Sequence, residues 1–159
     1  MRVRFVVGLA TLVLATSAGG TDANAEAVCD ATVARATLTR HVQAFNRALY
    51  GTLQELFAQE PEFGWYSVAP PFGRTNQRAQ NRATLMAYFR ARHAKREVLH
   101  VVKFNFASTQ ERDAVVVANF NGHLTRRATD LPRERRGFKA TIRCAPSPQF
   151  IVLSIGTKF

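Results

Sequence analysis

EVLHVVKFNFASTQERDAVVVANFNGHL, residues 97–124, carries apolar side chains at every second position on both sides of a polar break. Val98, His100, Val102, Phe104 and Phe106 share one strand face. After the break, Val115, Val117, Asn119, Asn121 and His123 share another, opposite Val116, Ala118, Phe120 and Leu124. A period of two is the signature of a half-buried strand, so the pattern predicts two long antiparallel strands joined by a turn at Gln110–Asp113. Downstream, Phe138, Ala140, Ile142 and Cys144 alternate in a third strand, and Phe150–Gly156 follows Pro146 and Pro148 as a fourth. Upstream the period is that of helices. Asp30 is a candidate N-cap for a helix over about 31–48 bearing Val33, Leu38, Val42, Phe45 and Leu49. Thr52 can cap a short second helix carrying Leu53, Leu56 and Phe57, which Pro61 stops. Residues 63–68 read as a short strand, and 69–80, with Pro70, Pro71 and Gly73, as a long loop. Leu85, Phe89 and His93 recur every four residues in a third helix over 81–96. Helices followed by an antiparallel meander imply an α+β domain with its helices on one sheet face.

The N-terminus reads as an export signal. Arg2 and Arg4 precede an apolar run from Phe5 to Ala15, and Ala23-Asn24-Ala25 is a small-x-small cleavage site, so residues 1–25 would be removed. The run is too short to cross a bilayer, which takes about 20 helical residues, and no later segment comes closer. The remaining chain from Glu26 suits one domain, expected to be secreted or periplasmic with no transmembrane segment. Ala27-Val28 lacks the residues that would make Cys29 a lipid anchor. Cys29 and Cys144 are the only cysteines. In an oxidising compartment they most simply form one disulfide, with free thiols or an intermolecular bridge as the alternatives. No Cys-x-x-Cys, His-Glu-x-x-His, Gly-rich phosphate loop or Gly-x-Ser-x-Gly is present, so no metal and no cofactor is expected. The 22 Lys and Arg against 11 Asp and Glu give a net charge of +11, a field that attracts anionic partners. Of the 22, 18 are arginine, which also fits a GC-rich genome.

Val42-Gln43-Ala44-Phe45-Asn46-Arg47-Ala48-Leu49-Tyr50-Gly51-Thr52-Leu53-Gln54-Glu55-Leu56-Phe57 is a long helix ending in an Asn-containing turn, then a short Leu/Phe helix. With the Trp65 strand, the helix holding Leu85 to His93 and four long strands after it, this order resembles the nuclear transport factor 2-like superfamily and, within it, the SnoaL-like proteins. The resemblance implies a cystatin-like, cone-shaped α+β barrel: a curved antiparallel sheet wrapped around about three helices, with a pocket at the wide end. Members include ketosteroid isomerase-like enzymes, dehydratases, polyketide cyclases, small-ligand binders and assembly modules, so the fold does not choose among them.

Enzymes of this superfamily commonly use a pocket carboxylate, because removing a proton beside a carbonyl needs a base of tuned pKa and a donor for the oxyanion. Here the carboxylates, Glu97 among them, fall at a terminus, on the short second helix, or at a turn or strand edge. Histidine is the other candidate base. His93 shares the apolar side of its helix with Leu85 and Phe89, and His100 shares a strand face with Val98, Val102 and Phe104. Tyr66 is the matching donor. His41, on a helix rich in Arg and Thr, and His123, near a strand end, read as surface or edge residues. Trp65 and Tyr66 would border the pocket mouth, and Asn119 is a polar residue in mid-strand that needs a partner if it faces inward.

The leading expectation is therefore a noncatalytic cone binding a small, partly apolar ligand beside Trp65, Tyr66, Phe89, His93, His100 and Asn119. The first alternative is an isomerase or dehydratase using His93 or His100 with Tyr66. The second rests on basic clusters. Arg74, Arg78 and Arg82 recur every four residues, and Arg126, Arg127, Arg133, Arg135 and Arg136 surround Leu131-Pro132. Such a hairpin could engage an anionic envelope surface, with the protein as a sheet-to-sheet homodimer. Without aromatic interleaving no specific nucleic-acid reader is expected.

Overall fold

The computed structural model describes residues 29–68, 77–112 and 115–157. The expected export signal lies outside them, as do residues 69–76 of the expected loop. Three helices, α1 (Ala31–Asn46), α2 (Tyr50–Glu55) and α3 (Arg82–Ala94), pack on a sheet of β1 (Trp65–Val68), β2 (Gln77–Ala79), β3 (Val98–Arg112), β4 (Val115–Ala128), β5 (Leu131–Arg143) and β6 (Gln149–Thr157). The order is β2-β1-β6-β5-β4-β3. This is the expected α+β architecture with two corrections. The sheet is open, with β2 and β3 at its edges, rather than a closed barrel. It is also mixed, because β1 runs parallel to β6 while every other pairing is antiparallel. Parallel neighbours need a long crossover, and α3 and four strands intervene between these two. β2 lies within the segment read as loop.

Local chemistry sets the helix ends. Asp30 caps α1 by accepting from the Thr32 and Val33 amides at 2.8 and 2.9 Å. Ala48 adopts a left-handed φ of 54°, so α1 stops and α2 begins at Tyr50, two residues before the expected cap. Asn46 joins this turn to the sheet: its Nδ2 donates to the Leu99 carbonyl at 2.8 Å and its Oδ1 accepts from the Leu99 amide at 2.9 Å. Asn81 caps α3 by accepting from the Thr84 amide at 2.8 Å. Cys29 and Cys144 form the disulfide, with Cα atoms 5.5 Å apart and a sequence separation of 115. In the chain-entropy model a loop of that size stabilises by about 4–5 kcal/mol.

Two register shifts govern which side chains face the helices. β3 slips against β4 between Val101 and Lys103, and again between Phe106 and Ser108. A bulge reverses the alternation. Hence Val98 and His100 point to the outer face with Lys103 and Asn105, whereas Leu99, Val101, Phe104 and Phe106 point to the core. The first bulge brings the Lys103 carbonyl over Gly122, where an added Cβ would sit 1.9 Å from that oxygen. Glycine is therefore the residue the bulge admits. Inside, Phe45, Phe57, Phe89, Phe120, Phe138 and Phe150 are fully buried among Leu38, Leu53, Leu56, Leu85, Leu124 and Ile142.

Candidate functional site

The interior is packed with rings, and one of them is a histidine. His41 lies on the stripe of α1 formed by Ala34, Leu38, Ala44 and Phe45, and is buried. Its ring centroid is 5.4 Å from Phe57, 5.5 Å from Phe150, 5.9 Å from Phe89 and 6.3 Å from Phe45. Neither ring nitrogen has a hydrogen-bond partner among the described residues. An imidazolium surrounded by hydrocarbon loses its hydration without replacement, so burial pushes the His41 pKa down to about 3. The surface reading of His41 is thus corrected. Leu38 and Phe45, three and four residues away, were the signal that it faces inward.

Where β4 and β5 meet α3, the inner face carries charge. Glu97 is 5 % exposed and Arg126 4 %. Glu97 Oε1 lies 3.0 Å from Arg126 Nε, and its Oε2 accepts from Arg126 Nη2 at 3.1 Å and from Arg92 Nε. Arg92 also donates to both Asp130 oxygens, at 2.9 and 3.1 Å. Burial works against the Arg92 charge, but its bonds to Asp130 and Glu97 outweigh it and hold the pKa above the usual value. The same contact holds the Asp130 carboxyl below its usual range. Glu134 pairs with Arg136 at 2.5 Å. Two tyrosines border this network. Burial, then the neighbouring Tyr88 and Glu97, pushes the Tyr66 pKa well up, and burial with Glu97 nearby pushes that of Tyr88 up to about 12. Both remain neutral phenols near pH 7. A general base needs an unoccupied lone pair aimed at its substrate, and those of Glu97 face guanidiniums. Arg126 and Glu97, read from sequence as surface and strand-edge groups, are instead a buried pair.

The six residues expected around one pocket divide between the two faces. Tyr66 and Phe89 are in the core, their rings 5.3 Å apart. His93 stands at the end of α3, its Nδ1 2.8 Å from the Tyr50 hydroxyl and its ring 4.6 Å from Phe45. Burial holds its pKa below the ordinary imidazole value. Trp65, His100 and Asn119 are on the outer face. Trp65 is 38 % exposed and Tyr66 3 %, because adjacent residues of β1 point to opposite sides. His100 is carried outward by the β3 register, and the Asn119 oxygen accepts from Thr141 Oγ1 at 2.8 Å across β4 and β5. That polar ladder continues in Asn105–Asn121, 3.1 Å, and Ser67–Ser154, 2.9 Å.

Among the described residues, hollows open at both ends of the outer face. At one end a cleft of about 570 Å³ runs beside Trp65, walled by Val115, Val117, Ile151 and Val152 and flanked by Arg112 and Arg143. Arg143 bonds Glu62 and Gln149, which fixes it at the rim. At the other end a cavity of about 300 Å³ is lined by Val98, His100, Thr125, Arg126, Arg127 and Arg133. Among the described residues no group of three or more His, Cys, Asp or Glu side chains could hold a metal ion. No helix among them is long and apolar enough to cross a membrane.

No protein-family model matches the chain, and no curated protein matches it in sequence. Solved structures match in shape. A protein of unknown function with a cystatin-like fold from Nostoc punctiforme PCC 73102 is 14 % identical, with 82 % of this chain and 94 % of that one covered and a TM-score of 0.60. A nuclear transport factor 2-like protein from Pseudomonas putida KT2440 is 10 % identical over 80 % and 86 %, with a TM-score of 0.61. The beta subunit of the benzoate 1,2-dioxygenase from Burkholderia mallei ATCC 23344 is 12 % identical over 82 % and 92 %, with a TM-score of 0.58. The chain therefore has the nuclear transport factor 2-like, cystatin-like α+β fold. At these identities the likeness is one of fold alone.

Proposed function

We propose that the protein is an exported, noncatalytic module that binds a small, partly apolar ligand in the cleft beside Trp65. One observation carries the reading: the inner face is filled by phenylalanines and mutually paired charges, while the outer face keeps a cleft of about 570 Å³ with an exposed indole on its wall. Ligand sites are concave, largely apolar and edged by a few polar groups, and this cleft has that make-up. An isomerase or dehydratase would need an acid–base pair facing a space for substrate. His93 and Tyr50 are within hydrogen-bond reach, yet neither lines the cleft or the arginine-rich cavity. Export is supported by the disulfide together with the basic, then apolar, then small-residue order of residues 1–25.

Trp65 is the only tryptophan, so fluorescence excited selectively at tryptophan reports on this cleft. Titration with 8-anilinonaphthalene-1-sulfonate is expected to quench Trp65 saturably. Val115→Arg, at a cleft residue that is 37 % exposed, puts a long charged side chain into the cleft and is expected to abolish the response with the circular dichroism unchanged. Quenching that survives Val115→Arg, or that never saturates, would show the cleft is not the site. A ligand-independent doubling of mass in solution that covers Trp65 would replace the ligand by a second copy of the chain.

A further inference from the structure

The arginine-rich cavity at the opposite end of the outer face is a different kind of place. Across the β3–β4–β5 ladder, His100 stands opposite Thr125 and Thr125 opposite Arg135, while Val98 stands opposite Arg127. Directly opposed residues on one sheet face have Cβ atoms about 5 Å apart. Arg127 falls where the β4–β5 register shifts between Arg126 and Ala128, and Arg133 lines the same cavity from β5. A bulge there re-aims a side chain relative to its neighbours.

These cations lack counter-charges. Among the described residues, Arg127, Arg133 and Arg135 form no ion pair, although the arginines facing the other way, Arg92, Arg126 and Arg136, each have a carboxylate partner. Like charges opposed on a sheet are destabilising, so their gathering around one cavity asks for an anion between them. Arg126 also lines the cavity, but its guanidinium is engaged by Glu97.

We propose that this cavity is a binding site for a phosphate group, free or carried by a lipid headgroup, held by Arg127, Arg133, Thr125 and His100, with Arg135 at the rim. Guanidinium forks suit both carboxylates and phosphates. Here, though, donors come from three strands and from several directions, which suits a tetrahedral group with three or more accepting oxygens better than a planar carboxylate with two. Val98, 39 % exposed, supplies an apolar wall for whatever the phosphate esterifies. This site shares no residue with the cleft beside Trp65, so either proposal can fail alone.

The test is an amide-resolved NMR titration of the folded chain with inorganic phosphate, and with acetate as the carboxylate comparison. Saturable shifts are expected at residues 98–100, 125–127 and 133–135. The Arg127→Ala/Arg133→Ala variant should lose at least about tenfold in affinity, since hydrogen bonds to charged groups are among the stronger ones. Arg47→Ala, which removes an exposed charge at the end of α1, should lose none. Sedimentation with phosphatidylglycerol-containing vesicles, compared with pure phosphatidylcholine, then identifies the source. Retention that phosphate competes away assigns the site to a headgroup, and phosphate binding without retention assigns it to a free phosphate. Shifts spread evenly over exposed arginines, acetate binding as tight as phosphate, or an unchanged affinity in the double variant would each overturn the proposal.

Discussion

Both faces of the β4–β5 hairpin carry arginines near its turn, and they treat them in opposite ways. On the inner face, Arg126 and Arg136 meet Glu97 and Glu134 in a network that leaves little charge uncompensated. On the outer face, Arg127, Arg133 and Arg135 stand together with no acidic partner among the described residues. The difference is one of solvent. A buried guanidinium without a carboxylate would cost several kcal/mol, so inside the sheet pairing is a condition of folding. Outside, water and salt screen the repulsion, and basic residues can be kept for something other than stability.

The sharpest way to break this comparison is at Arg126. Arg126→Leu leaves Glu97 with Arg92 alone and takes from Glu134 a contact of 3.8 Å, while Glu134 keeps Arg136. Removing one member of a buried pair is expected to destabilise by about 3–5 kcal/mol. Urea denaturation measures it. A cost below about 1 kcal/mol would mean that water already reaches the network and that inner and outer arginines differ little.

His41 extends the inner-face argument to a group with no partner. Its folded pKa, about 3, lies below the ordinary imidazole value of 6.5. Between those values the unfolded chain binds a proton that the folded one does not, so stability is complete above pH 6.5 and falls on acidification until about pH 3. The lost stability is on the order of 5 kcal/mol. His41→Leu removes that dependence while filling a similar volume. The difference between the two proteins' unfolding free energies should therefore widen as pH falls through this window. Parallel pH profiles would show that His41 is hydrated or protonated in the folded state.

Much of this was legible in the sequence. The period of two over residues 97–124 fixed the long strands, and Asp30 and the Leu/Phe spacing fixed α1, because both are local patterns that packing reinforces. What failed was which side a residue faces. Strict alternation puts His100 on the face of Phe104, but the β3 bulge at Val102 lies between them, and a bulge is a pairing property that one strand does not announce. Trp65 and Tyr66 are adjacent, and strand alternation alone separates them. His41 was readable from Leu38 and Phe45, but its polar neighbours on the helix obscured the apolar stripe. The Glu97–Arg126 pair joins residues 29 apart, and no local spacing pointed to it.

The smallest expected effect is at Arg133, and it separates stability from function on the outer face. Arg133→Leu should change the unfolding free energy by no more than about 0.5 kcal/mol, the usual range for an exposed site. Its sign should be stabilising at low ionic strength, because one of several mutually repelling charges is gone. Added salt should raise the stability of the parent chain and narrow the gap to the variant, since screening does what the substitution does. A destabilisation comparable to that of Arg126→Leu would mean that Arg133 is structurally paired, and the contrast between the two faces would disappear. A neutral or slightly positive change, together with weakened phosphate binding, places the role of Arg133 in binding: a residue that the fold does not need, held among like charges where an anion can use it.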